Sequence, residues 1–255
     1  MNYKRLIFIL LLLTPFTIKA QQDIKKDHIS TWMFQATYAY QFPGKDTKTL
    51  YDDNHSIGGS IFYKTENNWL FSINGNFISG NSVNITRQEL FGDILDNNGE
   101  IITGDGIYGS YALFERGAHF QARVGKIFPV LAPNPNCGFF VQGGIGYLFN
   151  RVRTEFGSYA SPPPAMAGDY LYGYDRMRGG FAWSAEVGYL FMSNSRVLNF
   201  SLSLEFTQAY TKSLRNWDFN LRSEDKNSYI DQYIGIRAAI YIPTYKRKPA
   251  EYYYF

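Results

Sequence analysis

The chain has 255 residues, which suits a single all-β barrel or sandwich domain, so a second domain is not required. Its net charge of +3 is too small, without any basic stripe, to predict nucleic-acid binding. The single cysteine, Cys137, excludes an internal disulfide and leaves a buried or turn thiol or an intermolecular partner as alternatives. Aromatic residues make up 18% of the chain, a composition that favours contact with lipid headgroups.

The first 20 residues have the features of a secretory signal peptide. Lys4 and Arg5 precede an apolar run at residues 6–13, and Ala20 precedes a polar segment. The run is too short to cross a bilayer, so we expect cleavage after Ala20, with an uncleaved N-terminal anchor as the alternative. After Ala20 no apolar stretch reaches about 18 residues, so we expect no helical membrane span in the mature chain.

Eight later segments alternate apolar residues with polar or small ones, which is the pattern of transmembrane β-strands. In residues 31–42, Trp32 and Phe34 fall on one face, whereas Gln35 and Thr37 fall on the other. Phe62 interrupts the alternation in the second segment, residues 56–65. The other seven segments are residues 56–65, 69–77, 118–128, 138–153, 181–191, 198–206 and 231–242.

The connections between these segments alternate in length, as they do in bacterial barrels with short periplasmic turns and long extracellular loops. The short ones are residues 66–68, 129–137 and 193–195, and the long ones are residues 43–55, 80–117, 154–178 and 211–228. We therefore predict a closed, antiparallel, up-and-down transmembrane β-barrel of eight strands in the bacterial outer membrane. An even number of strands places both ends of the mature chain in the periplasm.

The predicted layout is a signal peptide at residues 1–20, a periplasmic segment at 21–30, the barrel at 31–242 and a periplasmic tail at 243–255. One feature leaves the strand count open. Residues 96–99 have the sequence of a turn between two short apolar runs, which predicts an extracellular hairpin. If that hairpin or residues 107–115 entered the wall, the barrel would have ten strands.

The inward faces of strands four, six, seven and eight carry Arg123, Glu186, Glu205 and Arg237, respectively. An unpaired charge in a narrow lumen of low dielectric constant is strongly unfavourable, so we expect these groups to pair. An eight-stranded barrel has room for little besides its own side chains. The four residues therefore predict a salt-bridged network that closes the lumen, with a selectivity ring or a proton site as the alternative.

Catalytic, metal and nucleotide motifs do not emerge from the sequence, so we predict no enzyme and no cofactor. His119 with Ser184 or Glu186 could be assembled as a catalytic group, but no motif fixes that arrangement. A hydrogen-bonded lumen histidine is the simpler interpretation. The glycine-rich residues 143–146 lie within a strand pattern with no helix after them, which excludes a phosphate-binding loop.

Two segments are candidates for binding a partner. In the third long loop, Tyr170, Tyr172 and Tyr174 follow three prolines, and a loop packed on its own rim is an equally good interpretation. The C-terminal tail combines a basic cluster with aromatic residues, and it either lies along the membrane rim against lipid or docks to an envelope protein. The residues of the tail concerned are Lys246, Arg247, Lys248, Tyr252, Tyr253, Tyr254 and Phe255.

The signal peptide, the eight alternating segments, the alternating connections and the terminal Phe255 together resemble the small outer-membrane barrels of the OmpA/OmpX and PorT-like type. The resemblance covers nearly the whole mature chain and is architectural. It implies a closed barrel that serves as a scaffold, a surface-contact protein or an accessory of an envelope machine, and PorT-like members are associated with protein secretion. It assigns no functional residue.

Our first hypothesis is therefore a non-enzymatic barrel whose partners are outer-membrane lipid and an envelope protein, with no nucleic acid or nucleotide. It would bind through residues 80–117, 154–178 and 244–255. The second hypothesis is a narrow pore or transport protein, which requires an open lumen. The third is an enzyme at the rim that modifies lipids or peptides.

Overall fold

The wall of the protein is a closed ring of antiparallel strands, in which each strand pairs with the next along the chain and the last pairs with the first. The computed structural model describes residues 24, 27–157, 161–193 and 198–244. The predicted all-β up-and-down barrel is confirmed, with eight strands. They are β1 (Thr31–Gly44), β2 (Asn54–Lys64), β3 (Trp69–Gly80), β4 (Tyr111–Phe128), β5 (Gly138–Phe156), β6 (Arg178–Met192), β7 (Asn199–Ser213) and β8 (Ser228–Pro243).

The two faces of the wall have the opposite polarity to those of a soluble protein. Phe34 and Ile73 point outward and are 56% and 72% exposed, whereas the neighbouring Gln35 and Asn74 point into the lumen and are buried. An apolar outer band over polar interior positions is typical of a barrel that spans a bilayer. Phe62 also keeps the alternation, because it points into the lumen and packs against Tyr241.

The connections lie at two ends of the barrel. The short connections from β2 to β3, from β4 to β5 and from β6 to β7 start and end at the same end of the barrel as the start of β1 and the end of β8. We call the described residues of the four long connections the cap: residues 45–53, 81–110, 157, 161–177 and 214–227. The cap contains two helices, α1 (Lys45–Leu50) and α2 (Arg87–Phe91), and two short 3-10 helices, Pro164–Met166 and Gly168–Gly173. Across the described residues, every helix is too short or too polar to cross a membrane.

The alternative of ten strands is wrong. The hairpin of the second long loop makes only single bridges, Leu95 with Ile101 and Ile102 with Tyr108, and it stays in the cap. Its apolar runs are too short for a wall strand, and Ile101 is fully buried among cap residues. From Tyr111 onward the chain extends β4 beyond the predicted start at residue 118 and adds no further strand.

A small hydrophobic core holds the cap together above the wall. Phe91 of α2 packs edge-on against Tyr111 and also contacts Tyr174, and all three belong to or border the same buried cluster. The start of α2 is fixed by a capping box, in which Thr86 and Glu89 each satisfy a backbone N–H of the other. The cap is therefore a packed layer that covers one mouth of the barrel.

Glycines on the lumen side allow the strands to approach closely, and Gly146 of β5 is a clear case. A Cβ atom there would lie 2.7 Å from the Cα of Gln121 on β4, a separation that real Cβ atoms do not show. We predict that Gly146→Ala destabilises the barrel by about 1–3 kcal/mol, because the added methyl overpacks the wall. The measurement is the urea midpoint of unfolding in detergent micelles.

The matched control for this prediction is Gly143→Ala on the same strand. A Cβ at Gly143 points outward and meets nothing nearer than the carbonyl oxygen of Ser184 at 3.7 Å, which is an ordinary contact. We expect its midpoint to equal that of the wild type. Equal midpoints for the two variants would contradict the proposed packing constraint.

Candidate functional site in the lumen and the cap

The structure brings together all four charged lumen residues that the sequence singled out. Glu186 on β6 and Glu205 on β7 are directly opposite each other in the strand register. Arg123 pairs with both carboxylates through its two terminal nitrogens, and Arg237 donates to Glu205 at 2.9 Å. Two positive and two negative groups therefore form one neutral, buried network.

This network crosses the lumen from one side to the other. Arg123 projects from β4, whereas its two carboxylate partners lie on β6 and β7, beyond the intervening β5. Gln142 and Ser203 complete the hydrogen bonds of Glu186 at 2.7 and 2.6 Å. The side chains thus occupy the middle of the barrel, as the small diameter of eight strands requires.

Below the charged network, the short-turn end of the lumen is sealed by apolar residues. Ile24 and Ile29, which precede β1, are buried in a cluster with residues of the wall, including Phe62 and Phe140. We call residues 24 and 27–30 the plug.

The plug is held by polar contacts to the second short turn. The side-chain nitrogen of Asn136 donates to the carbonyl of Asp27 at 2.9 Å, and its side-chain oxygen accepts from the backbone N–H of Ile29 at 2.9 Å. The same oxygen accepts from the buried ammonium of Lys64 at 2.8 Å. Neither the role of Asn136 nor that of Lys64 was expected, because single polar contacts between distant segments leave no periodic signal in a sequence.

Above the charged network, a second polar group lies at the cap end of the lumen. Glu115 is fully buried and accepts hydrogen bonds from Tyr233 and Asn54, each at 2.8 Å. The sequence interpretation placed Glu115 in a loop. If the alternation of β4 is continued from Gly117 back to Tyr111, Glu115 falls on the inward face. That continued alternation is the sequence signal from which its position could have been predicted.

The residues considered for catalysis are not arranged as a catalytic group. Ser184 donates its hydroxyl proton to Gln121 at 2.7 Å and not to His119, so the serine lacks an activating base. The carboxylate of Glu186 pairs with Arg123 and accepts hydrogen bonds from Gln142 and Ser203. Within the described ranges, no group of three or more His, Cys, Asp or Glu side chains is placed to hold a metal ion.

The three tyrosines of the third long loop have different environments. Tyr170 and Tyr172 are 62% and 45% exposed, whereas Tyr174 is buried in the core of the cap against Phe219. Tyr174 therefore packs the cap, and Tyr170 and Tyr172 are the two that a partner can reach. The remaining candidates, residues 246–248 and 252–255 of the tail, lie outside the described residues.

An open cleft of about 640 Å³ adjoins the two exposed tyrosines. Arg215 lies over the ring of Tyr172 at 4.3 Å and pairs with Asp175, whose hydrogen bonds raise the pKa of the guanidinium. Trp217 is 49% exposed at the same cleft. The cap thus presents aromatic rings beside a fixed positive charge.

A closed ring of eight strands with an apolar outer band and a filled lumen defines a small β-barrel of the membrane-spanning type, which is the architecture implied by the resemblance to small outer-membrane barrels. No protein-family model matches the sequence, and no curated protein does.

Three solved structures are similar to the chain over most of its length. Ail, the attachment invasion locus protein of Yersinia pestis, in complex with the heparin analogue sucrose octasulfate, is 10% identical with a TM-score of 0.43, over 83% of this chain and 97% of that one. Ail in a second structure is 12% identical with a TM-score of 0.39, over 84% and 99% of the two chains. Neisserial surface protein A is 10% identical with a TM-score of 0.37, over 82% and 96%.

The charged network supplies a prediction about stability. Arg123→Met leaves the two opposed carboxylates with one arginine, so we expect a loss of about 3–5 kcal/mol in unfolding free energy. Adding Glu186→Gln makes the network neutral again and should recover part of that loss. Urea unfolding of both variants in micelles measures the coupling between the two positions.

The control is Arg222→Met in the cap, which breaks the exposed ion pair between Arg222 and Asp93. We expect it to cost less than about 1 kcal/mol, because exposed pairs contribute little. A loss for Arg123→Met as small as that of the control would show that the lumen network does not stabilise the barrel.

Proposed function

We propose that the protein is a non-enzymatic outer-membrane barrel that acts through its cap as a scaffold or binding partner of other envelope components. The observation that carries this proposal is the filled lumen. The plug, the Arg123 network and the core of the cap block the barrel at three successive levels. In a barrel closed in this way, the outer wall and the two ends are the surfaces that can contact other molecules.

The proposed orientation follows from the two ends of the barrel. Bacterial barrels keep short turns in the periplasm and long loops outside. The cap is then extracellular, and the plug and the C-terminal tail are periplasmic. The apolar outer band lies against the lipid of the outer membrane.

The cleft at Tyr170 and Tyr172 is the surface of the cap best suited to a protein partner. Tyrosine, tryptophan and arginine are the residues that most often dominate the energy of protein interfaces. Tyr170, Tyr172, Arg215 and Trp217 combine these types around one concave surface. A protein of the envelope is the proposed partner, and the resemblance to PorT-like barrels adds the protein-secretion machinery as one class of candidates.

Electrical recording tests whether the lumen is closed. The full mature chain is inserted in a planar bilayer, and insertion is verified by the heat-dependent shift in gel mobility that folded barrels show. We expect no steady conductance, because buried side chains cross the lumen at the level of Arg123. Stable channels of one defined size would contradict the proposal and favour the narrow pore.

Capture of partners from native membranes tests the role of the cleft. The variant Tyr170→Ser/Tyr172→Ser removes two exposed rings, and we expect it to lose about tenfold or more in affinity for the partner that the wild type captures. The matched control is Val130→Ser/Leu131→Ser, which removes two exposed apolar side chains from a short turn at the opposite end of the barrel. Equal capture by the wild type and both variants would exclude the cleft as the binding surface. Truncation after Ile242 measures how much the C-terminal tail contributes to partner binding.

A further inference from the structure

The outer face of the wall carries two arginines in direct opposition. Arg116 on β4 and Arg151 on β5 are partners in the strand register, and both follow the outward alternation of their strands. Directly opposite residues on one face of an antiparallel pair have Cβ atoms about 4.5–5.5 Å apart, and like charges at that separation repel each other. The opposition is unfavourable unless an anion lies between the two guanidinium groups.

The protein supplies little negative charge to this pair. Arg116 donates to Ser79, to the carbonyl of Gly80 and to its own neighbour's carbonyl, which are all neutral oxygens. These hydrogen bonds all use Nη1, so Nη2 and Nε remain able to donate to an acceptor outside the protein. The carboxylate of Glu115 points to the other face of the wall, where Asn54 and Tyr233 bind it.

Arg151 is compensated only in part. Its nearest carboxylate oxygen belongs to Asp175, at 3.9 Å, which is beyond hydrogen-bonding distance. The same carboxylate is bound by both Nε and Nη2 of Arg215. Arg153, two residues further along β5, pairs with Glu155 at 2.9 Å. Four arginines in this patch therefore face two carboxylates.

The position of the pair on the wall identifies the source of the missing anion. The outward pair next to Arg116 and Arg151 is Ala118 with Phe149, and the pair beyond it is Phe120 with Tyr147. The arginines are thus the first charged residues above the apolar band on these strands. At the other end of β4, Lys126 lies over the ring of Trp69 at 5.2 Å and marks the opposite border.

Lys126 and Arg116 are ten residues apart by their numbers, which is the length of a strand that crosses a bilayer. A ligand that meets the Arg116–Arg151 pair is therefore at the depth of lipid headgroups. Arginine side chains bind phosphate with paired, charge-assisted hydrogen bonds.

We propose that Arg116 and Arg151 form a binding site for the phosphate group of a membrane lipid at the cap-side border of the apolar band. The inference rests on the proposed membrane-spanning function and adds a ligand class to the outer wall. The phosphate neutralises both guanidinium groups, and the lipid chains lie along the apolar residues beneath them. The site thereby fixes the depth of the barrel in the outer leaflet.

The test uses the purified full mature chain in a nonionic detergent and measures lipid binding by native mass spectrometry. The probes are lipid A, lipid A stripped of its phosphates, and inorganic phosphate. We expect Arg116→Gln/Arg151→Gln to lose about tenfold or more in affinity for lipid A, because two hydrogen bonds between charged groups are removed. The stripped lipid should bind wild type and variant equally weakly.

The charge-matched control is Arg222→Gln/Lys226→Gln, which removes two positive charges from well-exposed positions in the cap. We expect it to bind lipid A like the wild type. A second readout separates binding from a structural role. Without lipid, the Arg116→Gln/Arg151→Gln variant should unfold at the same or a higher urea concentration, because the repulsion is relieved. Lipid A should stabilise the wild type and the control variant but not the Arg116→Gln/Arg151→Gln variant.

Three results would overturn the inference. Equal affinity of wild type and Arg116→Gln/Arg151→Gln for lipid A shows that the pair is not the site. An equal loss in the control variant shows that general charge, and not this pair, attracts the lipid. Binding of inorganic phosphate as tight as that of lipid A shows a site for free phosphate. Failure of the wild type to insert in micelles or vesicles would instead contradict the proposed function.

Discussion

The contact of Arg123 with Glu186 and Glu205 is the interaction on which the rest of the structure depends. The two carboxylates face each other across β6 and β7, an arrangement that is unfavourable without a cation between them. Arg123 provides that cation from β4, on the far side of the lumen. One side chain thereby removes a repulsion, links strands that are not neighbours and fills the centre of the barrel, so charge balance and closure have the same cause.

The strand order could be predicted from the sequence because lipid imposes a strict rule on the wall. Within the apolar band the outward positions face lipid and must be apolar or small. Outward residues such as Phe34 and Ile73 therefore alternate clearly with inward polar residues. Above the band the rule ends. The extensions of β4 and β5 toward the cap carry Arg116 and Arg153 on their outer face, and the start of β4 at Tyr111 was therefore missed.

The candidate sites were predictable only where they follow that same alternation. Glu205 and Arg237 were found because inward charges in a narrow barrel must pair. On the sequence alone, Tyr170, Tyr172 and Tyr174 are grouped as one candidate surface, but the residues before Tyr174 form the 3-10 helix Gly168–Gly173. With three residues per turn, that helix separates the rings, so that Tyr174 enters the core of the cap while its neighbours stay exposed.

On each side of the wall, two like charges lie directly opposite each other on paired strands, but the two pairs are neutralised to different extents. Inside, the opposed pair Glu186 and Glu205 is neutralised by the protein's own arginines, Arg123 and Arg237. Outside, the carboxylate nearest to the opposed pair Arg116 and Arg151 is that of Asp175, which lies near Arg151 and already pairs with Arg215. The opposed charges are therefore balanced inside the barrel and only partly balanced outside it, and this asymmetry is the reason why we propose binding at the outer wall and the cap.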